Sequence, residues 1–246
     1  MKSAVVLALS LVFAGSICGA EQTYGSGYEP KPPVPFPAEL KDYQILPDTI
    51  SPDQKFAFIY PKRSRLYELA TYDLFVAALN PFRTLSKIPL GHSNLAQNAK
   101  CYYAARWSKD SATAVFVVGS RWGPEKVWVL QLRDGNVAKT DLAAAVRQQV
   151  LPDYKKSHAA RYNDYYDFLL DEEKEDTSGW KLDDHGHVLI DTTCTTDPKE
   201  LDPHGWTVRF KGTWDIAARK FVEKSFSRIP PRPNQTLQPT AGLSDV

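Results

Sequence analysis

Residues 107 to 135 read Trp107-Ser-Lys-Asp-Ser-Ala-Thr-Ala-Val-Phe-Val-Val-Gly-Ser-Arg-Trp-Gly-Pro-Glu-Lys-Val-Trp-Val-Leu-Gln-Leu-Arg-Asp-Gly135. A polar turn at Ser108 to Ser111 precedes a continuous apolar run from Ala114 to Val118. A connection broken by Gly123 and Pro124 leads to a second run, Val127 to Leu132, and a turn at Asp134-Gly135. So short an apolar run between turn residues predicts a strand buried on both faces, inside a β-meander.

Weaker copies lie on either side. The first opens with Ser51-Pro52-Asp53 and continues through Phe56 to Tyr60, an interruption at 61–73, Leu74 to Leu79, a turn at Asn80-Pro81, and Phe82 to Ile88. The third opens with Asp183-Asp184-His185-Gly186, then His187 to Asp191, an interruption at 192–205, Trp206 to Phe210, a turn at Lys211-Gly212-Thr213, and Trp214 to Ile216. Phe221 to Phe226 closes it, with Phe221, Glu223 and Ser225 expected on one face and Val222, Lys224 and Phe226 on the other. Proline presets φ, aspartate bonds the backbone two residues on, and glycine accepts positive φ, so each turn has its own chemical reason. Turn, strand, connection, strand, turn and strand, met three times, is a repeat signature.

The Ser51-Pro52-Asp53 start, its Trp107-Ser108-Lys109-Asp110 counterpart and the strand–turn spacing resemble blades of TolB-like or WD40-like β-propellers. The resemblance covers residues 48–139 and 182–226 and implies blade-like sheets stacked face to face. A propeller needs about four blades, and three are present. The expected fold is therefore mainly β with a helical insertion: three stacked antiparallel β-meander units, propeller-like without closing into a ring, plus an α-hairpin.

The hairpin is the insertion at 140–176. Thr140-Asp141 caps a helix predicted over Leu142 to Val150 and ended by Pro152. A second helix is predicted from His158 to Glu175, where Tyr162, Tyr165, Tyr166 and Leu169 make one apolar stripe. Asp164, Asp167 and Asp171 fall on another face and, with Glu172, Glu173 and Glu175, read as a solvated surface; calcium loops place their ligands around a glycine turn instead.

The ends of the chain divide as residues 1–20, 21–44 and 229–246 around a single β-rich domain at 45–228. Lys2, the apolar stretch Ala4 to Phe13 and the small residues Cys18-Gly19-Ala20 form a secretory signal, since the apolar stretch falls short of the roughly 20 residues a membrane span needs. Branched Ile17 argues against lipid anchoring at Cys18. The protein is therefore expected to be exported, periplasmic or secreted, with no membrane span. Pro30, Pro32, Pro33, Pro35 and Pro37 predict an extended linker or strap that Tyr24, Tyr28 and Phe36 can pin. Prolines 230, 231, 233 and 239 predict a disordered tail.

Without Lys2, 29 basic side chains stand against 29 acidic ones. Nucleic-acid binding needs clustered positive charge against phosphates, and neither that nor a polybasic membrane patch is present. About 225 residues suffice for one sizeable core. In an oxidising compartment the remaining pair, Cys101 and Cys194, is expected to form a disulfide. Two distant cysteines lack the spacing of structural zinc.

Candidate chemistry is sparse. His185 and His187 with Asp183 and Asp184 suggest a metal site, but Asp-Asp-His-Gly is also good turn chemistry, and no metal is expected. Ser178-Gly179-Trp180-Lys181 matches a Ser-x-x-Lys pattern without the helix that would bring lysine to serine. No nucleophile elbow, phosphate loop or His-Glu-x-x-His is present, so no cofactor and no catalytic residue is assigned.

The most informative feature is positional. In each unit the interruption falls between the first two strands, so like stacking bunches the three connections along one rim. That rim carries Lys62, Arg63, Arg65 and Tyr67; Arg121 and Trp122; and Lys199 with His204. Arginine and aromatic side chains dominate interface hot spots, which predicts a non-enzymatic binding or scaffold domain holding a protein, peptide or glycan through Arg63, Arg65, Tyr67, Arg121, Trp122 and His204. The alternative is a hydrolase or lyase in the same rim, built from His204, Asp197 and Arg121.

Overall fold

A run of five apolar residues with no polar partner between them forces an unusual strand, and the structure places it in the middle of the molecule. The computed structural model describes residues 35–62, 73–90, 102–120, 123–157, 169–171, 177–196 and 205–229. All of them belong to one unit, Pro32–Val246. The fold is mainly β, with three antiparallel sheets, one helix and no closed barrel among the described residues.

The first sheet runs in the order β1 (Tyr43–Ile45), β2 (Phe56–Pro61), β3 (Leu74–Leu79) and β4 (Phe82–Ile88). The second is β5 (Tyr102–Trp107), β6 (Thr113–Ser120), β7 (Gly123–Arg133) and β8 (Asn136–Asp141). The third is β10 (Trp180–Leu182), β11 (His187–Thr195), β12 (Thr207–Asp215) and β13 (Lys220–Arg228), with β9 (Leu169–Asp171) pairing the far end of β11. The first two meanders each have one strand more than the sequence pattern suggests, β1 and β5. In the third, β9 and β10 are added, and the expected turn at Lys211-Gly212-Thr213 is instead the middle of the continuous strand β12, because the whole of β11 offers it a partner. Strands β1, β9 and β10 have only three residues each, too few to show periodicity.

Strand β6 is the seam of the stack. Ala114, Phe116 and Val118 enter a core shared with Phe58, Leu74, Val76 and Ile88 of the first sheet. Val115 and Val117 enter a second core with Val188, Ile190, Val208 and Phe210 of the third sheet. All five β6 residues are fully buried, because successive side chains point to opposite faces and both faces are covered. The expected two-faced strand and the stacked, unclosed meanders are what the chain forms.

Helix α1 (Leu142–Lys156) fills the second core beside β7. Asp141 caps it, its Oδ1 accepting the Ala144 N–H at 3.0 Å. The helix does not stop at Pro152, which lies inside it. An interior proline costs about 3 kcal/mol, but Val146, Val150 and Tyr154 are buried on both sides of it. Two such side chains stabilise by roughly 1.5–3 kcal/mol each, enough to carry the helix through. The second predicted helix cannot extend to Glu175. Leu169–Asp171 is strand β9, with Leu170 buried opposite Cys194. Pairing along β11 outweighs the helical stripe, of which only Leu169 is described; Tyr162, Tyr165, Tyr166 and the acidic residues other than Asp171 lie outside the described residues. The described insertion is therefore one helix and a short strand.

Other boundaries moved for the same reason. Strand β2 runs to Pro61, β6 and β7 run to Ser120 and from Gly123, and β11 runs to Thr195, so the ladders extend into all three expected interruptions. On β13, Val222 is extra in the register between Thr213↔Glu223 and Trp214↔Phe221. That bulge breaks the expected alternation and puts Phe221, Lys224 and Phe226 on one face. The Phe36 ring lies 4.9 Å from Phe82, while Tyr24, Tyr28, Pro30, Pro32 and Pro33 lie outside the described residues. Cys194 is a free, buried thiol on the core side of β11, and its expected partner Cys101 lies outside the described residues.

Candidate functional site

The stack has two borders, and the turn chemistry fixes which is which. At the first, the Ser51 hydroxyl bonds the Asp53 carboxylate at 2.7 Å and accepts the Phe56 N–H at 2.9 Å. The second sheet repeats it: the Ser108 hydroxyl bonds Asp110 at 2.6 Å and accepts the Thr113 N–H at 2.9 Å. Gln54 and Ser111 take positive φ at matching places. The third copy is shorter. Asp183 alone accepts the N–H groups of His185 and His187, both at 2.8 Å, while Gly186 supplies the positive φ.

These turns also join the sheets. Ser111 Oγ accepts the Asp53 N–H at 3.1 Å, the Trp107 indole donates to the Thr49 carbonyl at 2.8 Å, and Lys109 pairs with Asp184 at 2.5 Å. Burial works upward on the Asp53 carboxyl, but hydrogen bonds from Ser51, the Lys55 N–H, Ser111 and the Lys55 ammonium hold it down at about 2. The Ser108 hydroxyl and the Ala112 N–H likewise hold Asp110 below the usual carboxylate range. Because Asp53 is lowered on folding, the stability it contributes is present above its unfolded value and disappears as pH falls from about 4 to about 2. With 31% of its side chain in water, Asp53→Asn is expected to cost about 1 kcal/mol at neutral pH. It should also flatten the urea midpoint between pH 4 and 2; an unchanged acid limb would remove Asp53 from this role.

Strands β2, β6 and β11 all leave this turn border, so the connections to β3, β7 and β12 start from the opposite one. The first two sheets meet there as well: Tyr60 and Tyr103 rings lie 6.2 Å apart, and Tyr103 stacks near Phe116 at 6.3 Å. Beside them Lys126 pairs with Asp141 at 2.7 Å and lies 5.9 Å over the Trp128 ring, while the Trp128 indole donates to the Pro89 carbonyl. Asp141 therefore both caps α1 and holds Lys126. The third connection has a closed neck. The Thr196 N–H donates to the Trp206 carbonyl at 2.9 Å, and the Trp206 N–H donates to Thr196 Oγ1 at 3.0 Å. Trp206 is anchored to α1, its indole donating to Asp153 at 2.9 Å; that bond, with Arg228 nearby, keeps Asp153 below the usual carboxylate range.

Of the residues that the sequence singles out for this rim, Lys62 is described, its N–H donating to the Asp42 carbonyl at 2.7 Å. Arg63, Arg65, Tyr67, Arg121, Trp122, Asp197, Lys199 and His204 lie outside the described residues. The frame around them contains polar groups that pattern reading passed over. Lys126 and Trp128 sit among apolar neighbours and read as strand, and Asp153 falls beyond the expected end of the helix at Pro152; only the cap signal at Thr140-Asp141 pointed here.

In the histidine candidate, Asp183 is engaged by its own turn, while His204 and Asp197, which could complete a cation site, lie outside the described residues. His187 Nδ1 lies 3.0 Å from Asp183 Oδ2, and no trio of His, Cys, Asp or Glu suited to a metal occurs among the described residues. Burial pushes the Cys194 thiol up to about 12, which keeps it protonated and unreactive. No helix among the described residues is long and apolar enough to cross a membrane. No protein-family model, curated protein or solved structure matches this chain.

Proposed function

We propose that the chain is an exported, non-enzymatic binding or scaffold domain whose connection rim holds a protein, peptide or glycan partner. The observation that carries this reading is that the three second-to-third-strand connections leave equivalent positions of three stacked sheets. Their bases are rigid, held by the Tyr60–Tyr103 contact, the Lys126–Asp141 pair and the Thr196–Trp206 neck. A stiff border under several loops is the arrangement binding scaffolds use. Export rests on the sequence of residues 1–20, and the partner would meet Arg63, Arg65, Tyr67, Arg121, Trp122 and His204.

The hydrolase or lyase reading requires His204, Asp197 and Arg121 to converge. Nothing among the described residues favours it. The lowered carboxylates Asp53, Asp110, Asp153, Asp183 and Asp191 each have a bond that holds a turn, a helix seam or a sheet face.

The test is the double replacement Arg121→Ala with Trp122→Ala. It is expected to leave the far-ultraviolet circular dichroism and thermal midpoint within a few degrees of the parent. Retention of partners from a periplasmic extract by the immobilised protein should be abolished. Retention equal to that of the parent would end the proposal.

A further inference from the structure

The third sheet ends in β13 (Lys220–Arg228), a nine-residue edge whose residues are all exposed except half-buried Phe221. Val222, Phe226 and the following Ile229 are 49%, 48% and 41% exposed, three of the five large apolar side chains in that state among the described residues. The other edges differ. Strands β1, β9 and β10 have three residues each, β5 is buried or half-buried except at Arg106, and β4 is tied to β8 where Lys139 reaches Ser86 and the Lys87 carbonyl.

Backbone direction on β13 follows from one bond. The Ile229 N–H donates to the Thr207 carbonyl on β12. Backbone groups alternate in direction along a strand, so Ser227 and Ser225 also face β12, while Arg228, Phe226 and Lys224 present N–H and C=O outward. Lysines and bulges usually guard such edges. Here the bulge lies at Val222, before this stretch. Lys224 and Arg228 are drawn onto α1 by Gln149 and Asp153, which leaves the outward backbone groups uncovered by either side chain.

Two occupants from the chain itself fit poorly. The tail begins with Pro230, Pro231 and Pro233, which have no N–H to give a ladder. A second copy paired antiparallel about Phe226 sets Lys224 against Arg228, and about Lys224 sets lysine against lysine, which destabilises; paired about Ser225 or Ser227 it sets a cation against Phe226, so no register offers either cation an acid. Lys224 is held by the neutral Gln149 amide and Arg228 is 62% exposed beside Asp153, so both still put positive charge on either side of Phe226; that suits a strand with acidic, apolar and acidic residues at alternate positions.

We propose that β13 is a strand-addition site, separate from the connection rim, for an extended acidic segment of a partner protein. Main-chain bonds to Lys224, Phe226 and Arg228 supply the affinity, and the alternating charges supply the selectivity. The probe is a synthetic peptide in which glutamate, valine and glutamate alternate with threonine, titrated against the full chain at low salt and followed by fluorescence anisotropy and amide hydrogen exchange. Binding is expected with slowed exchange at the amides of residues 224, 226 and 228, and a peptide with lysine for glutamate should bind at least tenfold more weakly.

Phe226→Pro removes an outward N–H without touching the ladder to β12, and should weaken binding tenfold or more. Lys224→Glu, which keeps the backbone, should do the same and serves if the proline variant fails to fold. The Arg121→Ala/Trp122→Ala variant should bind the peptide as the parent does, so failure at the rim and failure at β13 are separable. Equal binding of both peptides, no protection at the three amides, or a concentration-dependent dimer that Lys224→Glu strengthens would overturn the proposal.

Discussion

Phe116→Ala is expected to destabilise the protein by about 3–5 kcal/mol. The ring is fully buried on β6, 4.3 Å from the stacked ring of Phe58 and 6.3 Å from Tyr103. Truncation removes one of the aromatic contacts between the first two sheets, beside those that Trp107 makes with Phe56 and Phe58, and leaves a hole that their ladders cannot close, because hydrogen bonding fixes the strands on both sides. For a domain of this size the loss corresponds to a fall of roughly 10 °C in thermal midpoint. Urea unfolding of Phe116→Ala, Phe58→Ala and the double variant should show strong coupling, with the pair costing clearly less than the sum. A cost under 1 kcal/mol, or additive costs, would mean that the two sheets are not held together here.

Gly119→Ala is the second large effect, and its cause is overpacking. Gly119 sits opposite Tyr102 in the β5–β6 register, and the Tyr102 ring lies across it where a Cβ would have to go. Tyr102 is only 5% exposed and belongs to the core shared with the third sheet. It has no free direction to retreat, so an added methyl should cost about 1–3 kcal/mol. Tyr102→Ala removes the obstacle at its own cost. In that background Gly119→Ala should lose most of its penalty, as read from denaturant midpoints. An undiminished penalty would place the cause in the backbone of the neighbouring bulge at Val118/Gly119 instead.

The two effects show how local rules and assembly divide the work in one strand. The run Ala114 to Val118 announced burial on both faces, since five apolar residues in succession leave no polar side to give to water. Ser51-Pro52-Asp53, Ser108-Lys109-Asp110 and Asp183-Asp184-His185-Gly186 announced turns, because their side chains bond their own backbone within five residues. Asp141 announced a helix start in the same way. That the strands flanking the three interruptions end at one border was legible too, as a repeat whose interruptions fall at one place in each copy.

What failed to show had causes outside its own segment. Nothing near Pro152 predicts a helix continuing through it; the reason lies in Val150, Tyr154 and the Asp153–Trp206 bond, which join α1 to residues over fifty positions away. Residues 169–171 carry a helical stripe locally and become a strand because β11 has room beside β10. The open edge of β13 likewise depends on the stack, since only the position of α1 draws Lys224 and Arg228 away from it.

The sequence by itself therefore determined the long central strands, the turns that open β2, β6 and β11, and the two-faced character of β6, since these depend on side-chain alternation and bonds made within a few residues. The tertiary structure alone decided the length of α1, the identity of β9, the burial of Cys194 and which strand remained open at the end of the stack. Those outcomes turn on apolar area and hydrogen bonds supplied by distant segments, which no local pattern records.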